Sequence, residues 1–272
     1  MLAAAALWGW TGSKQTEGTV RPETARTALP AGEDAGPTPV LVELFTSEGC
    51  SSCPPADALL MKLEREQPVS GVNIITLGEH VDYWDRLGWP DRFSSAAFSQ
   101  QQQVYAQTLR TDAYTPQMVV DGQLAFVGSD AAFAQAAIRD ASRERKVLLD
   151  IQVVPSGGES GVVRLRARLS HPISAGPGQV IDAFLAITEA NLTTQVGAGE
   201  NSGRVLHHAS VVRDLRRIKK IARPDSEQEF VADVAFSQDW DRSNLRAVVF
   251  LQEQRSRRIL AAGQVALEGQ TQ

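Results

Sequence analysis

"VLVELFTSEGCSSCPPADALLMKLERE", residues 40–66, joins an apolar run to a helical pattern and places both cysteines of the chain at the junction. Residues 40–45 are rich in β-formers with almost no polar alternation, as in a strand buried on both faces. Ala56, Leu59, Leu60 and Leu63 then fall on one helical face, with Asp57 near the favourable N-terminal end. Residues 71–80, "GVNIITLGEH", supply a second buried strand. Strand, helix and strand at this spacing predict a right-handed crossover between two parallel strands.

Beyond an insertion of polar and aromatic residues, "QMVV" and "QLAFV" flank Asp121-Gly122, a strong hairpin signal. An amphipathic helix follows, with Asp130 as its N-cap. From residue 147 the pattern changes. "VLLDIQVVP", "VVRLRARL", "VIDAFLAIT", "HASVVRDLRRI", "EFVADVAF", "LRAVVFLQE" and "RILAAGQVAL" read as seven short strands, which predict an immunoglobulin-like β-sandwich.

A two-spaced cysteine pair between a first strand and its helix, with Thr115-Pro116 just ahead of a hairpin, resembles the thioredoxin fold. At finer grain "VELFTSEGCSSCPPAD", "EHVDYWDRLGW", "YTPQMVVDG", "VGAGENSG" and "VVRDL" resemble domain-of-unknown-function family 1223, a group of secreted bacterial proteins. The resemblance implies a cis proline at Pro116 beside the cysteines. It also implies a buried acid, Glu43, near the resolving cysteine. The expected architecture is an α/β thioredoxin-like domain over residues 39–146, a central mixed sheet flanked by helices. An all-β immunoglobulin-like sandwich is expected over 147–272.

The spacing of Cys50 and Cys53 lets one helical turn bring the sulfurs to bonding distance, and a helix N-terminus favours a thiolate. Cys50 is expected to be the solvent-facing nucleophile and Cys53 the resolving thiol. Glu43 would carry a proton for Cys53, or else stand as an edge glutamate in water or pair with an arginine. Thr115 and Pro116 would offer backbone to an extended substrate, with His80 and Trp84 walling the site. The intervening serines, the nearby anion Glu48, and Pro54-Pro55, which delay the regular helix, all argue for a less strongly oxidising pair.

The expected function is exported thiol-disulfide exchange with a protein or small thiol, without cofactor. Alternatives are a non-catalytic binding or scaffold protein, a structural disulfide, or Cu(I) or zinc bound by Cys50, Cys53 and His80. A net charge of -5 gives no reason to expect a nucleic-acid partner. "MLAAAALWGW" is far shorter than the roughly 20 residues of a membrane span. It reads as a clipped, misassigned or atypical export signal, leading into a Gly, Pro, Thr and Glu-rich linker, together residues 1–38. Its rival is a disordered cytoplasmic tail. The export reading predicts a periplasmic or secreted bacterial protein with no stable membrane insertion.

Overall fold

The buried strand of residues 40–45 is the middle of β1 (Thr38–Thr46), whose residues are almost all buried. A computed structural model describes residues 36–155, 162–173, 178–221 and 229–267. The export-signal reading falls on residues outside these. After β1 the chain forms α1 (Pro54–Glu66) and β2 (Val72–His80), and β2 pairs in parallel with β1 as the crossover pattern requires. Cys53 is the N-cap of α1, and Pro54 and Pro55 fill its first positions, where an amide proton would have no helical partner.

A short 3-10 segment (Asp82–Leu87) leads to α2 (Ala96–Leu109), capped by the Ser95 side chain. The chain then forms β3 (Gln117–Val120), β4 (Leu124–Val127) and α3 (Ala131–Ala141). β3 and β4 form the hairpin expected around Asp121-Gly122. The Asp130 carboxylate accepts from the Phe133 amide, as an N-cap should. Val42 and Leu44 of β1 pack with Leu59, Leu60 and Leu63 of α1 and Ala134 and Ile138 of α3. Burying each such leucine contributes about 1.5–3 kcal/mol. The alternate β1 residues, Leu41 and Phe45, belong to clusters on the other face that include Phe98 and Tyr105 of α2.

The remaining strands are β5 (Val147–Val154), β6 (Val162–Leu169), β7 (Ile181–Glu189), β8 (Leu192–Gln195), β9 (Val205–His208) and β10 (Val211–Ile221). β11 (Glu229–Ala235), β12 (Leu245–Glu253) and β13 (Ile259–Ala266) complete them. The seven strands expected from the sequence all form, together with a β8–β9 hairpin that was not foreseen.

Their assembly corrects the expected fold class. The chain does not build a thioredoxin-like α/β domain and a separate immunoglobulin-like sandwich. Eleven strands form one mixed sheet, in the order β11-β6-β5-β13-β12-β7-β10-β2-β1-β3-β4. The junction is made at Gly78 of β2, which lies opposite Val211 of β10. The Gly78 amide donates to the Ser210 carbonyl at 2.7 Å, and the Thr76 and Ser210 hydroxyls meet at 2.7 Å. A side chain at Gly78 would stand 3.2 Å from the Ala209 carbonyl oxygen, so glycine lets the two strands approach. Among the described residues no helix is long and apolar enough to cross a membrane.

Candidate functional site

Cys50 and Cys53 are joined in a disulfide where β1 runs into α1. Backbone bonds from the Cys50 amide to Ser47 and from the Cys53 amide to the Cys50 carbonyl shape the turn. The Cys50 sulfur lies 3.4 Å from the hydroxyl of Ser52, an exposed residue. Both sulfur-bearing residues are nevertheless 0% exposed, which corrects the expectation of a solvent-facing Cys50.

The cover comes from the glycine-rich stretch between β8 and β9. The Asn201 side-chain amide, itself fully buried, donates to the carbonyls of Glu48 and Cys50 at 2.9 Å each. Arg204 orients Asn201 by donating to its side-chain oxygen at 2.8 Å. The Glu200 carboxylate accepts from the Ser51 amide at 3.1 Å. Gly199, at φ +73°, and Gly197 lie against the Trp89 side chain, where added side-chain carbons would sit 3.1 and 3.2 Å from it. Loop 197–204 is therefore a strap pinned over the disulfide by polar side chains.

Beneath the turn lies a buried ionisable cluster. His80, at the end of β2, donates from Nδ1 to Asp91 Oδ2 at 2.6 Å, and Asp91 also accepts from the amides of Glu48 and Phe93. Burial alone would lower His80, but the Asp91 charge and hydrogen bond raise it above its ordinary value. Burial opposes charge on Asp91 as well, and the His80 charge and hydrogen bond outweigh it, leaving Asp91 below the usual range. The His208 ring, on β9, stands 5.0 Å from the His80 ring, and its Nε2 is 3.3 Å from Glu48 Oε1. Glu48 Oε2 accepts from the Trp89 indole at 2.8 Å. Burial pushes Glu48 up, while His208, Thr194 and Trp89 bring it below its ordinary value. Asp57, in the first turn of α1, is buried, and that burial raises its carboxyl against the pull of His208 and His80.

The expected site residues separate into three groups. Thr115, Pro116 and Trp84 come to the cysteine turn. The Thr115-Pro116 peptide is cis, the Trp84 indole donates to the Thr115 hydroxyl at 2.8 Å, and Trp84 lies within 3.2 Å of where a side chain on Gly49 would be. His80 also lies on the cysteine side but is 1% exposed, so it presents no surface to a substrate. Glu43 lies elsewhere, on the β1 face opposite α1. It accepts from Tyr105 at 2.6 Å and Gln101 at 2.9 Å and interacts with Glu79, which is also fully buried.

Sequence reading missed Asn201, Glu200, Asp91 and His208. His208 falls within the separate sandwich expected over residues 147–272. The sequence suggests that the glycine-rich loop at residues 195–208 packs against the cysteine-bearing half or forms part of a partner surface. It does pack there, though the contact of Asn201 with Cys50, 151 residues away, was not legible. Among the described residues, no group of three or more His, Cys, Asp or Glu side chains is arranged to hold a metal ion.

Fold and site together define a mixed-sheet protein with a strapped disulfide at the start of a helix. The chain belongs to the family described as protein of unknown function DUF1223, whose sequence pattern it matches over residues 41–252. Among solved structures it is similar to protein AGR_C_4864 from Agrobacterium tumefaciens, at 24% identity and a TM-score of 0.64 over 88% of this chain and 97% of that one. It is also similar to HBP35 of Porphyromonas gingivalis, at 14% identity and a TM-score of 0.55 over 86% and 76% of the two chains. At these identities the likeness is one of fold. No curated protein sequence matches the chain.

Proposed function

We propose that Cys50 and Cys53 form a redox pair that exchanges electrons with a protein or small thiol in the periplasm or outside the cell, where disulfides persist. The observation that carries this is the poor fit of the bond to a structural role. It closes a two-residue gap whose turn is already held by backbone hydrogen bonds, and so short a loop gains little chain-entropy stabilisation. Its cover is correspondingly polar: Asn201 and Glu200 hold the strap by hydrogen bonds that local opening can break and remake.

The test is the reduction potential, found by equilibrating the full chain in graded thiol buffers and counting alkylated thiols by mass. A value above about -230 mV supports exchange, and one below about -300 mV marks a structural disulfide.

A second reading, a non-catalytic binding protein, is favoured by the complete burial of both cysteines. It predicts that Cys50→Ser captures the same partners with unchanged affinity. Loss of capture removes that reading.

A further inference from the structure

The buried cluster beneath the disulfide contains more polar atoms than its hydrogen bonds use. His80 Nε2 and His208 Nδ1 are buried without a hydrogen-bond partner, while His208 Nε2 and Glu48 Oε1 face each other at 3.3 Å. Such atoms cost free energy in a merely structural core, and their gathering in one place calls for a function. The cluster also lies between two cavities. One, of about 180 Å³, is lined by Pro54, Asp57, Met61, Arg204 and His207. The other, of about 400 Å³, is lined by Glu48, Trp89, Arg92 and Thr194.

Asp57 ties this cluster to the cysteines. It follows Cys53 by one helical turn, and its amide donates to the Cys53 carbonyl at 3.1 Å. Side chains four residues apart share a helix face and lean toward the N-terminus, so the Asp57 carboxyl is directed back over the turn holding Cys53. Glu43 is across the sheet and does not compete for that role. The ionisable groups around Asp57 are Glu48 after β1, His80 at the end of β2, Asp91 before α2, and Arg204, His207 and His208 at β9.

We propose that Asp57 exchanges the proton of the Cys53 thiol as the disulfide forms and breaks, and that His208 and Glu48 connect it to the cavity beside Trp89. This rests on the exchange reading above. In the forward step the Cys50 thiolate has attacked a substrate disulfide R–S–S–R′, releasing R′S⁻ and leaving R held as a mixed disulfide on Cys50. The Cys53 sulfur attacks the Cys50 sulfur, its proton passing to the Asp57 carboxylate. The Cys50–Cys53 bond forms, the Cys50–SR bond breaks, and RS⁻ departs with the electron pair. The protein pair is oxidised and R is reduced. The proton then leaves Asp57 through His208 and Glu48. In reverse, Asp57 returns the proton to the sulfur that Cys53 releases. Burial raises the Asp57 carboxyl above its ordinary value, the direction that suits a group holding a proton between steps.

The reaction of the reduced full chain with the symmetrical disulfide of thionitrobenzoate tests the proposal, because one coloured thiolate is released on forming the mixed disulfide and a second on its resolution. Asp57→Asn is expected to leave the first release within about threefold and slow the second by about 10²-fold at neutral pH, the usual scale of a lost general base. Its rate should rise steadily with pH where the wild type levels off. Asp57→Glu should recover part of the loss, and His208→Gln, which keeps Asp57 in place, should shift the same pH profile. A second release with unchanged rate and pH profile in both Asp57→Asn and His208→Gln overturns the relay while leaving exchange intact. Slowing of both releases together also overturns it, as damage to the turn. A wild-type protein that never releases the second equivalent removes the exchange reading and the relay with it.

Discussion

The Asn201 side-chain amide holds the Cys50 carbonyl at 2.9 Å, and this contact between residues 151 positions apart closes the strap over the disulfide. The same nitrogen also serves the Glu48 carbonyl. Truncation at Asn201 would leave two buried acceptors unmatched, at about 1–3 kcal/mol. Asn201→Ala should therefore make local opening of the strap easier. The rate at which a water-soluble phosphine reduces Cys50–Cys53 should rise about tenfold, the equivalent of about 1.4 kcal/mol. Glu200→Ala, which removes an exposed contact, should change the rate far less. An Asn201→Ala protein reduced at the wild-type rate would show that access is set elsewhere.

Glu43 and Glu79 make a second pH-sensitive feature, on the other face of β1. Burial raises Glu43 despite the hydrogen bonds from Tyr105 and Gln101. Burial together with the Glu43 charge raises Glu79 well above 4.5. The folded protein thus keeps protons on these carboxyls at pH values where the unfolded chain has lost them. Their stabilising contribution is complete below the unfolded value and is lost as pH rises through the raised one. Glu79→Gln, which cannot ionise, should stabilise the protein by on the order of 1 kcal/mol near pH 8 and by little near pH 4. Urea unfolding at both pH values measures this, and an equal effect at both would show that Glu79 is not held neutral by its burial.

Local elements were legible because side-chain periodicity encodes them. The β1–α1–β2 unit, the Asp121-Gly122 hairpin, the Asp130 cap and the seven later strands all followed from such patterns. The single sheet was not legible, because strands join at their edges through backbone groups that every sequence shares. Only the small residues Gly78 and Ser210 mark the junction. Helix α2 was hidden for a different reason. A glutamine stands where an apolar residue would announce its buried face: Gln102 is fully buried, donating to the Tyr114 carbonyl and to Gln117. At the site, the cysteines and Pro116 were readable from local motifs. His208, Asp91 and Asn201 were not, since their roles exist only after distant strands meet.

Lys146, just ahead of β5, reaches back to Asp121 at the hairpin. Its ammonium lies 2.7 Å from Asp121 Oδ2, with side-chain exposures of 2% and 6%. Burial raises the Asp121 carboxyl to about 6 even against the Lys146 charge. Removing the cation leaves a buried carboxylate uncompensated, so Lys146→Met should cost about 3–5 kcal/mol at neutral pH. The cost should shrink as Asp121 protonates on acidification. Lys146→Met combined with Asp121→Asn should recover much of the loss in urea unfolding. A single Lys146→Met variant within about 1 kcal/mol of wild type would show that the carboxylate finds solvent instead.

The tip of the same hairpin docks on the turn between β12 and β13. The Asp121 carbonyl accepts from the Ile259 amide at 3.2 Å, and the Gln123 side chain donates to the Ser256 carbonyl at 2.7 Å. Gly122 sits between them at φ +66°, and a side-chain carbon there would fall 2.0 Å from the Arg257 carbonyl oxygen. Gly122→Ala must therefore move backbone as well as accept a left-handed conformation. Gly71 offers the control, with φ +73° and nothing within 4 Å of the added carbon. Gly71→Ala should cost only the conformational strain, about 1–2 kcal/mol. Gly122→Ala should cost about 1–3 kcal/mol more, the scale of overpacking, and should accelerate hydrogen exchange at the Ile259 amide. Equal unfolding midpoints for the two variants, with Ile259 exchange unchanged, would mean that the hairpin tip yields freely and that its contact with the β12–β13 turn contributes little to holding the sheet together.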